Sequence, residues 1–190
     1  TGNFAIYIDV NAPIGKENEH SFFEMNYENN LGMQAVNVDF NPPGDLMIDA
    51  ISHPYVVISG DDMEIKYHLR NLGPNLLTGQ GCNDVFYIST DQTFSPDDIL
   101  LGNLDHDIVL PIYSYEEYSF TANISGIPEG EYYIIIYGDA RNSFHEVDAN
   151  NNRGYSAYPV EVKVPELFFD TPITFKLKDL VHKDFKLNIN

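Results

Sequence analysis

The chain has 190 residues, of which 43% are apolar and 13% aromatic, and its net charge is −19. This apolar content suffices for one or two packed domains and argues against a disordered acidic tail. The charge excludes a nucleic-acid-binding face, which needs clustered basic residues, and no run approaches the about 18 apolar residues required to insert into a membrane. The single cysteine, Cys82, excludes an intrachain disulfide.

The first predicted strand, at residues 4–10, recurs later in the chain. It matches residues 134–140 at an offset of 130. Residues 21–38 then match residues 143–160 at an offset of 122, with eight of eighteen positions identical. The first copy therefore carries eight extra residues between the matched segments, and such an insertion belongs in a surface loop. Self-similarity of this kind indicates a tandem array of modules.

A third match indicates where the repeated unit begins. Residues 45–49 resemble residues 166–170 at an offset of 121. We therefore predict that residues 1–43 are the C-terminal strands of one module and that residues 44–163 form a complete module. Residues 164–190 are then the N-terminal strands of a following module. The linkers between these parts contain proline, which predicts semi-rigid spacing.

The complete module is predicted to consist of short strands separated by turns rich in Gly, Pro and Asn. Two segments alternate apolar and polar residues, as strands with one solvent-exposed face do, and two are continuously apolar, as central strands are. Seven or eight strands without helical periodicity predict an antiparallel β-sandwich. Pro159 predicts that the closing strand lies at a sheet edge, because proline cannot donate to a ladder. The predicted strands are 46–51, 63–69, 85–88, 118–124, 132–137 and 155–162, with two further strands at 175–177 and 185–189.

Several strings in the module resemble a known family when they are taken in order. They are Val85–Asp91, Phe94–Gly102, Gly130–Tyr133, Phe144–Glu146 and Asn150–Asn152. In this order and spacing they resemble CARDB modules, the cell-adhesion-related domains of bacteria. The resemblance implies an immunoglobulin-like β-sandwich in an extracellular protein of the bacterial cell surface. It does not imply one function, since such modules serve as spacers, adhesive units or appendages of secreted enzymes.

The first candidate metal site is a loop that follows the strand at 85–88. Asp91, Asp97 and Asp98 place hard oxygen ligands close together, with Ser95 nearby. Calcium binds six to eight such oxygens, readily drawn from one loop. The alternative is structural: Asp91 makes an Asx-turn, and the two adjacent aspartates cap a short turn.

The second candidate metal site is a cluster of acidic and amide residues after the strand at 132–137. Asp139, Glu146 and Asn151 are its proposed calcium ligands. The pattern recurs as Asp9 and Glu24 in the first copy, so it is a property of the module. The alternative is that these side chains satisfy backbone N–H and C=O groups of the loop between the last two strands.

No motif in the sequence predicts an enzyme. The histidines lack zinc-site spacing, and neither a glycine-rich phosphate loop nor a GxSxG elbow is present. Cys82 has no evident basic neighbour and is predicted to be an inert thiol. We therefore predict no catalytic residues and no organic cofactor, with calcium as the one candidate ion.

Three functions remain open at this point. The first is a non-enzymatic adhesion or spacer module whose partners are neighbouring immunoglobulin-like modules, a surface glycan or a protein ligand. The second is a subunit of an extracellular filament, in which identical subunits complete each other's sheets head to tail. The third is an accessory carbohydrate-binding domain of a secreted hydrolase.

Overall fold

The computed structural model of the chain describes residues 2–10, 25–26, 28–167 and 186–187. All regular secondary structure among these residues is β-strand. The strands are β1 (Gly2–Asp9), β2 (Leu31–Val38), β3 (Leu46–Ser52), β4 (Val56–Ile58), β5 (Asp62–Asn71), β6 (Leu77–Ser89), β7 (Ile99–Leu110), β8 (Tyr115–Asn123), β9 (Gly130–Tyr137), β10 (Arg153–Tyr155), β11 (Val160–Lys163), β12 (Glu166–Leu167) and β13 (Lys186–Leu187).

The first of two compact units, Thr1–Asn41, contains the antiparallel hairpin β1–β2. Its ladder is continuous over both strands and begins with the pair Gly2 and Val38. Because side chains alternate between the two faces of a strand, Phe4 and Ile6 share one face with Val38. These three side chains are 57%, 55% and 50% exposed. The hairpin therefore presents an exposed apolar face.

The second unit, Pro42–Asn190, contains two packed sheets. One sheet has the strand order β3–β5–β8, and the other has the order β4–β11–β9–β6–β7, with β10 also paired to β9. Every pair in these two sheets is antiparallel except β4–β11. The inward faces form a core in which Tyr67, Phe86 and Ile134 are fully buried. This arrangement confirms the predicted immunoglobulin-like antiparallel β-sandwich.

Most strands of the sandwich lie where the sequence pattern predicts them. The alternation at 63–69 corresponds to β5, whose apolar residues are all buried, and the alternation at 118–124 corresponds to β8. The continuously apolar segments are parts of β6 and β9, which are adjacent in the larger sheet. Strands β4 and β7 have no counterpart among the predicted strands.

The strand β3 changes the direction of its side chains partway along. Leu46 and Ile48 point into the core, and so does Ile51, although strict alternation would turn Ile51 outward. The register with β5 shifts between Asp49 and Ser52, and Ala50 in this interval has a φ of 51°. This bulge adds one residue to the strand, so three apolar side chains reach the same core.

The prediction that the closing strand with Pro159 lies at a sheet edge is wrong for the part of the strand that follows Pro159. The predicted strand at 155–162 is divided into β10 and β11, and Pro159 lies between them. The strand β11 is internal, since it pairs with β9 on one side and with β4 on the other. Proline is tolerated because Pro159 lies outside both ladders, where no backbone N–H donor is needed.

The last described strands form a short parallel pair. β12 pairs with β13, and the N–H of Lys186 donates to the carbonyl oxygen of Pro165 at 2.8 Å. The predicted strand at 185–189 is described only at its two β13 residues, and the predicted strand at 175–177 lies outside the described residues. The module boundaries at 43/44 and 163/164 stay predictions.

Candidate functional site

The loop that follows β6 contains the first predicted calcium site. The N–H of Thr93 donates to Asp91 Oδ1 at 2.7 Å, which closes an Asx-turn. Ser95 donates its N–H to Asp98 Oδ2 at 2.8 Å and its hydroxyl to Asp97 Oδ1 at 2.6 Å. The hydroxyl hydrogen bond from Ser95 lowers the pKa of Asp97. These contacts suit the hydrogen-bonded turn, and calcium at Asp91, Asp97 and Asp98 stays a prediction.

Asp139, the first residue of the second predicted site, organises the loop after β9. Its side chain is 2% exposed, and its two oxygens accept the N–H groups of Ser143 and Phe144 at 2.9 Å each. The φ angles of Asp139 and Asn142 are 42° and 52°, in the left-handed region that Asp and Asn tolerate better than most residues. Asp139 therefore holds a tight turn in place.

Glu146 and Asn151, the other predicted ligands of that site, connect the same loop to the start of β3. Glu146 accepts the N–H of Leu46 at 2.8 Å and the side-chain amide of Asn152 at 2.6 Å. Asn151 donates its side-chain amide to Asp45 at 3.1 Å. Burial raises the pKa of Glu146 even though these two hydrogen bonds lower it. The calcium role of Asp139, Glu146 and Asn151 stays a prediction.

Two polar atoms in this loop remain without a hydrogen-bond partner in the described part of the chain. They are the buried side-chain oxygens Oδ1 of Asn151 and Oδ1 of Asn152. A buried carbonyl oxygen without a donor is unusual, because desolvation without a hydrogen bond is costly. A cleft of about 400 Å³ borders the loop, lined by Asn142, Ser143, Phe144, His145, Glu146 and Ala149.

A polar cluster that the sequence analysis missed lies inside the sandwich, around the fully buried carboxylate of Asp84 on β6. Its Oδ2 accepts the hydroxyl of Tyr67 at 2.5 Å and lies 2.8 Å from Nε2 of His106. Its Oδ1 accepts the N–H of Asp139 at 3.0 Å and lies 3.5 Å from the sulfur of Cys82. Asp84 therefore joins groups from β5, β6, β7 and the loop after β9.

The environment of this cluster sets the protonation of its members. Burial, followed by the charge of Asp84, raises the pKa of the Tyr67 hydroxyl and of the Cys82 thiol, so both keep their protons. Burial lowers the pKa of His106, but the hydrogen bond and charge of Asp84 and the neighbouring Asp107 outweigh it, and the pKa of His106 is raised overall. An imidazolium beside Asp84 is thus favoured.

One sequence signal could have pointed to this cluster. If the strand at 85–88 is extended backwards, Cys82 and Asp84 fall on the same face as Phe86 and Ile88, which is the buried face. The structure confirms that Cys82 is a buried free thiol. The partner His106 lies on β7, opposite Cys82, and sequence alone does not fix that register.

Three comparisons relate the chain to known proteins. Among solved structures, the crystal structure of the CARDB domain of the PF1109 protein from Pyrococcus furiosus, in complex with di-metal ions, is 23% identical with a TM-score of 0.47. That match covers 65% of this chain and 97% of the other. The alkylpurine DNA glycosylase AlkC of Pseudomonas fluorescens is 12% identical with a TM-score of 0.41, over 63% of this chain and 31% of the glycosylase. A β-glucosidase from Listeria innocua is 11% identical with a TM-score of 0.40, over 63% of this chain and 16% of the enzyme.

No curated protein matches the chain significantly. In the part of the chain that the structure describes, no helix is long and apolar enough to cross a membrane. The model of the CARDB family matches residues 43–155, which is more than half of the chain. The match includes strands β3 to β10, and it covers the smaller sheet, the larger sheet except β11, and the Asp84 cluster. The chain therefore belongs to the CARDB family.

Proposed function

We propose that the chain is a non-enzymatic adhesion and spacer module of an extracellular bacterial surface protein. CARDB is a non-catalytic, adhesion-type domain family, and membership of the family supports the coarser part of this proposal. The finer part, a module that carries load between its neighbours, is supported by the way in which the chain enters and leaves the sandwich.

The observation that carries this proposal is the parallel pairing of β4 with β11. Glu161 donates its N–H to the carbonyl oxygen of Tyr55, and Ser59 donates its N–H to the carbonyl oxygen of Lys163, both at 2.8 Å. The chain enters β4 from its N-terminal side and leaves β11 at its C-terminal end. Because the strands are parallel, tension between these points slides one strand along the other. The hydrogen bonds then resist together, whereas in a hairpin pulled open at one end they break one at a time.

Single-molecule force measurements on the full chain test the proposal. Handles at the chain ends should give a higher unfolding force than handles at Thr78 and Val109. These two exposed residues are cross-strand partners near the open end of the β6–β7 hairpin, so pulling there separates the strands in sequence. Equal forces in the two geometries would contradict a load-bearing role.

A matched pair of proline variants assigns the resistance to β4. Tyr55 and Ser59 form backbone hydrogen bonds with β11. In a parallel ladder the backbone N–H of Val57, which lies between them, points to β11 as well. Val57→Pro removes that donor and should lower the end-to-end unfolding force. Val56→Pro, whose N–H faces away from β11, should leave it near the wild-type value. The reverse ranking of the two variants would assign the resistance to another pair of strands.

A second candidate function, a filament subunit, is favoured by the geometry of the β1–β2 hairpin. Under the sequence offsets of 130 and 122, its Gly2–Val38 pair corresponds to Tyr132 and Val160. Those two residues are cross-strand partners in the β9–β11 pair, so the hairpin has the register of that pair. In the sandwich this pair is covered by the sheet that contains β3. The hairpin is therefore suited to receive a comparable strand.

A glycine marks where such a strand would lie. A Cβ on Gly154 of β10 would lie 2.3 Å from Cγ2 of Ile48 on β3, so this glycine makes room for β3. Its sequence equivalent, Gly32, has the carbonyl oxygen of Ile8 at 3.8 Å and no nearer atom among the residues that the structure describes. The segment 166–170 resembles residues 45–49, at the start of β3, and is the proposed occupant when it comes from a second copy of the chain. Repetition of this contact is heterologous and produces head-to-tail growth.

The mass of the protein across a wide concentration range tests the filament. The mass of the wild-type chain should increase with concentration. In Phe4→Asp, which places a charge on the exposed apolar face of the hairpin, the mass should stay that of a monomer. Tyr7→Asp is the control, because Tyr7 lies on the opposite face and is 61% exposed. A monomeric mass at every concentration would contradict the filament and leave the spacer as the function.

Calcium stabilisation is the remaining part of the proposal. The buried Oδ1 atoms of Asn151 and Asn152 support it, because a cation would supply the partner that they lack among the described residues. Calcium at 100 times its dissociation constant should stabilise the fold by about 2.7 kcal/mol, visible as a higher thermal midpoint. Loss of the shift in Asp97→Asn or in Asn151→Ala would identify the loop that binds. An unchanged midpoint in the wild-type chain would contradict both calcium sites.

A further inference from the structure

The cluster of Cys82, Asp84 and His106 is assembled by the local geometry of β6 and β7. The register of the two strands shifts between Gly79 and Cys82, and Gly81 in this interval has a φ of 82°, which favours glycine. The resulting bulge turns Cys82 into the sandwich, and Asp84, two residues further on, shares its face. His106 is the cross-strand partner of Cys82. Three chemically different side chains therefore converge inside the core.

These side chains are a ligand set for a metal ion. Their sulfur, oxygen and nitrogen atoms all lie within 4.8 Å of one another. Zinc binds thiolate, carboxylate and imidazole ligands at about 2.0–2.3 Å, whereas calcium takes oxygen ligands alone. We propose that Cys82, Asp84 and His106 form a binding site for one divalent cation of the zinc class.

The arrangement of protons supports this site. Nδ1 of His106 lies 3.4 Å from the carbonyl oxygen of Asp107 and is placed to donate to it, while Nε2 lies 2.8 Å from Asp84 Oδ2. A nitrogen lone pair and a carboxylate oxygen repel at this distance unless a proton or a metal ion lies between them. The sulfur of Cys82 likewise lies 3.5 Å from Asp84 Oδ1, with the thiol proton between them. One carboxylate thus faces the protons of the two other proposed ligands, Cys82 and His106.

A single divalent cation can replace both protons without adding charge to the interior. Before exchange, the carboxylate of Asp84 balances the imidazolium of His106, and the thiol of Cys82 is neutral. After exchange, carboxylate and thiolate balance the two charges of the cation, and the imidazole is neutral. Two protons leave, one from sulfur and one from Nε2. Charge balance matters here because an uncompensated charge inside a protein is costly, and metal ligands must be deprotonated.

The surroundings of the cluster suit the role of an outer shell. The Tyr67 hydroxyl donates to Asp84, and the ring of Tyr118 lies 4.2 Å from that of His106. Contacts of this kind fix the orientation of metal ligands and limit the access of solvent to them. The side chain of His106 is 11% exposed, so the cluster lies near the edge of the core, within reach of a small ion.

Cobalt(II) is the probe that tests this site, because it occupies zinc sites and its absorption spectrum reports a thiolate ligand. The full chain is stripped with a chelator and titrated with cobalt(II), followed by zinc(II). One equivalent of cobalt should produce a thiolate-to-cobalt charge-transfer band, and zinc should abolish the band by displacement. Because Cys82 is the only cysteine, the band can come from no other side chain. Absence of the band in the wild-type chain would overturn the proposal whatever the variants do.

Three variants separate this site from adventitious surface binding. Cys82→Ser should abolish the band, and His106→Gln should weaken zinc binding by more than the about 10–100-fold that loss of an outer-shell group causes. His68→Gln is the control, since His68 offers a more exposed imidazole 3.6 Å from Asp49 and 3.8 Å from Glu117. It should keep both the band and the affinity. A band that persists in Cys82→Ser, or affinity that is unchanged in His106→Gln, would overturn the site.

Discussion

The β1–β2 hairpin and the strands β9, β10 and β11 present the same sequence pattern in two environments. The β9–β11 pair has the register of the hairpin, whereas Gly154 of β10 pairs with Ile136 and its sequence equivalent, Gly32, pairs with Ile8. Ile136 is nevertheless fully buried, whereas its equivalent Ile6 is 55% exposed. Backbone hydrogen bonding and side-chain alternation thus set the ladder, while burial depends on a second sheet. Substitutions made in pairs, one in each environment, measure how much that second sheet contributes.

The largest difference is expected at the paired isoleucines. Ile136→Ala should lower the free energy of unfolding of the sandwich by about 2–5 kcal/mol, because it removes buried methyl groups and leaves a cavity. Ile6→Ala should change it by no more than about 0.5 kcal/mol. Chemical denaturation of both variants provides the measurement. A comparable loss in Ile6→Ala would mean that the hairpin face is covered in solution.

The paired glycines should give the next largest difference. Gly154→Ala places a Cβ against Ile48, 2.3 Å from its side chain and 3.0 Å from its carbonyl oxygen, so β3 must shift. Overpacking of this kind costs about 1–3 kcal/mol in the free energy of unfolding. Gly32→Ala places a Cβ 3.8 Å from the carbonyl oxygen of Ile8, the nearest atom in the described part of the chain, and should be close to neutral. The comparison fails if Gly154→Ala unfolds at the wild-type denaturant midpoint.

The smallest difference concerns Arg153, whose equivalent in the hairpin is Leu31. The guanidinium of Arg153 lies 4.7 Å from the ring centre of Tyr137 and 4.8 Å from that of Phe94. Arg153→Leu should therefore cost about 0.5–1 kcal/mol, the value of an exposed cation–π contact. Leu31→Arg is the reciprocal control and should give no gain in thermal midpoint. A stabilised Arg153→Leu variant would show that the two ring contacts contribute nothing.

The fold could be predicted furthest where one face of a strand is purely apolar. Met63 to Leu69 on β5 alternate without exception, and the structure confirms the strand and its buried face. The strand β7 has no such signal, because His106 occupies an inward position among aspartates. An inward-facing histidine is stabilised here because Asp84 of the neighbouring strand accepts its hydrogen bond. No pattern in the local sequence indicates that Asp84 is its neighbour.

The candidate sites divide in the same way. Asp91, Asp97 and Asp98 could be singled out because they follow one another in a single loop, and their hydrogen bonds remain within that loop. The Cys82, Asp84 and His106 cluster could not, since its members come from two strands and their meeting depends on the β6–β7 register and the bulge at Gly81. Local spacing therefore identified acidic loops, and strand pairing identified the buried cluster.

From the order of its residues alone, this chain could be recognised as a β-sandwich of the CARDB type with a repeated module pattern. The sandwich depends on strand alternation and turn residues, which act over a few neighbouring positions, and the module pattern rests on sequence matches at offsets of 121 to 130. Three features arose only when the strands paired: the division of the closing strand around Pro159, the parallel β4–β11 pair, and the cluster around Asp84. Each joins residues that are distant in sequence, and the free energy of such a contact depends on partners that no local pattern specifies.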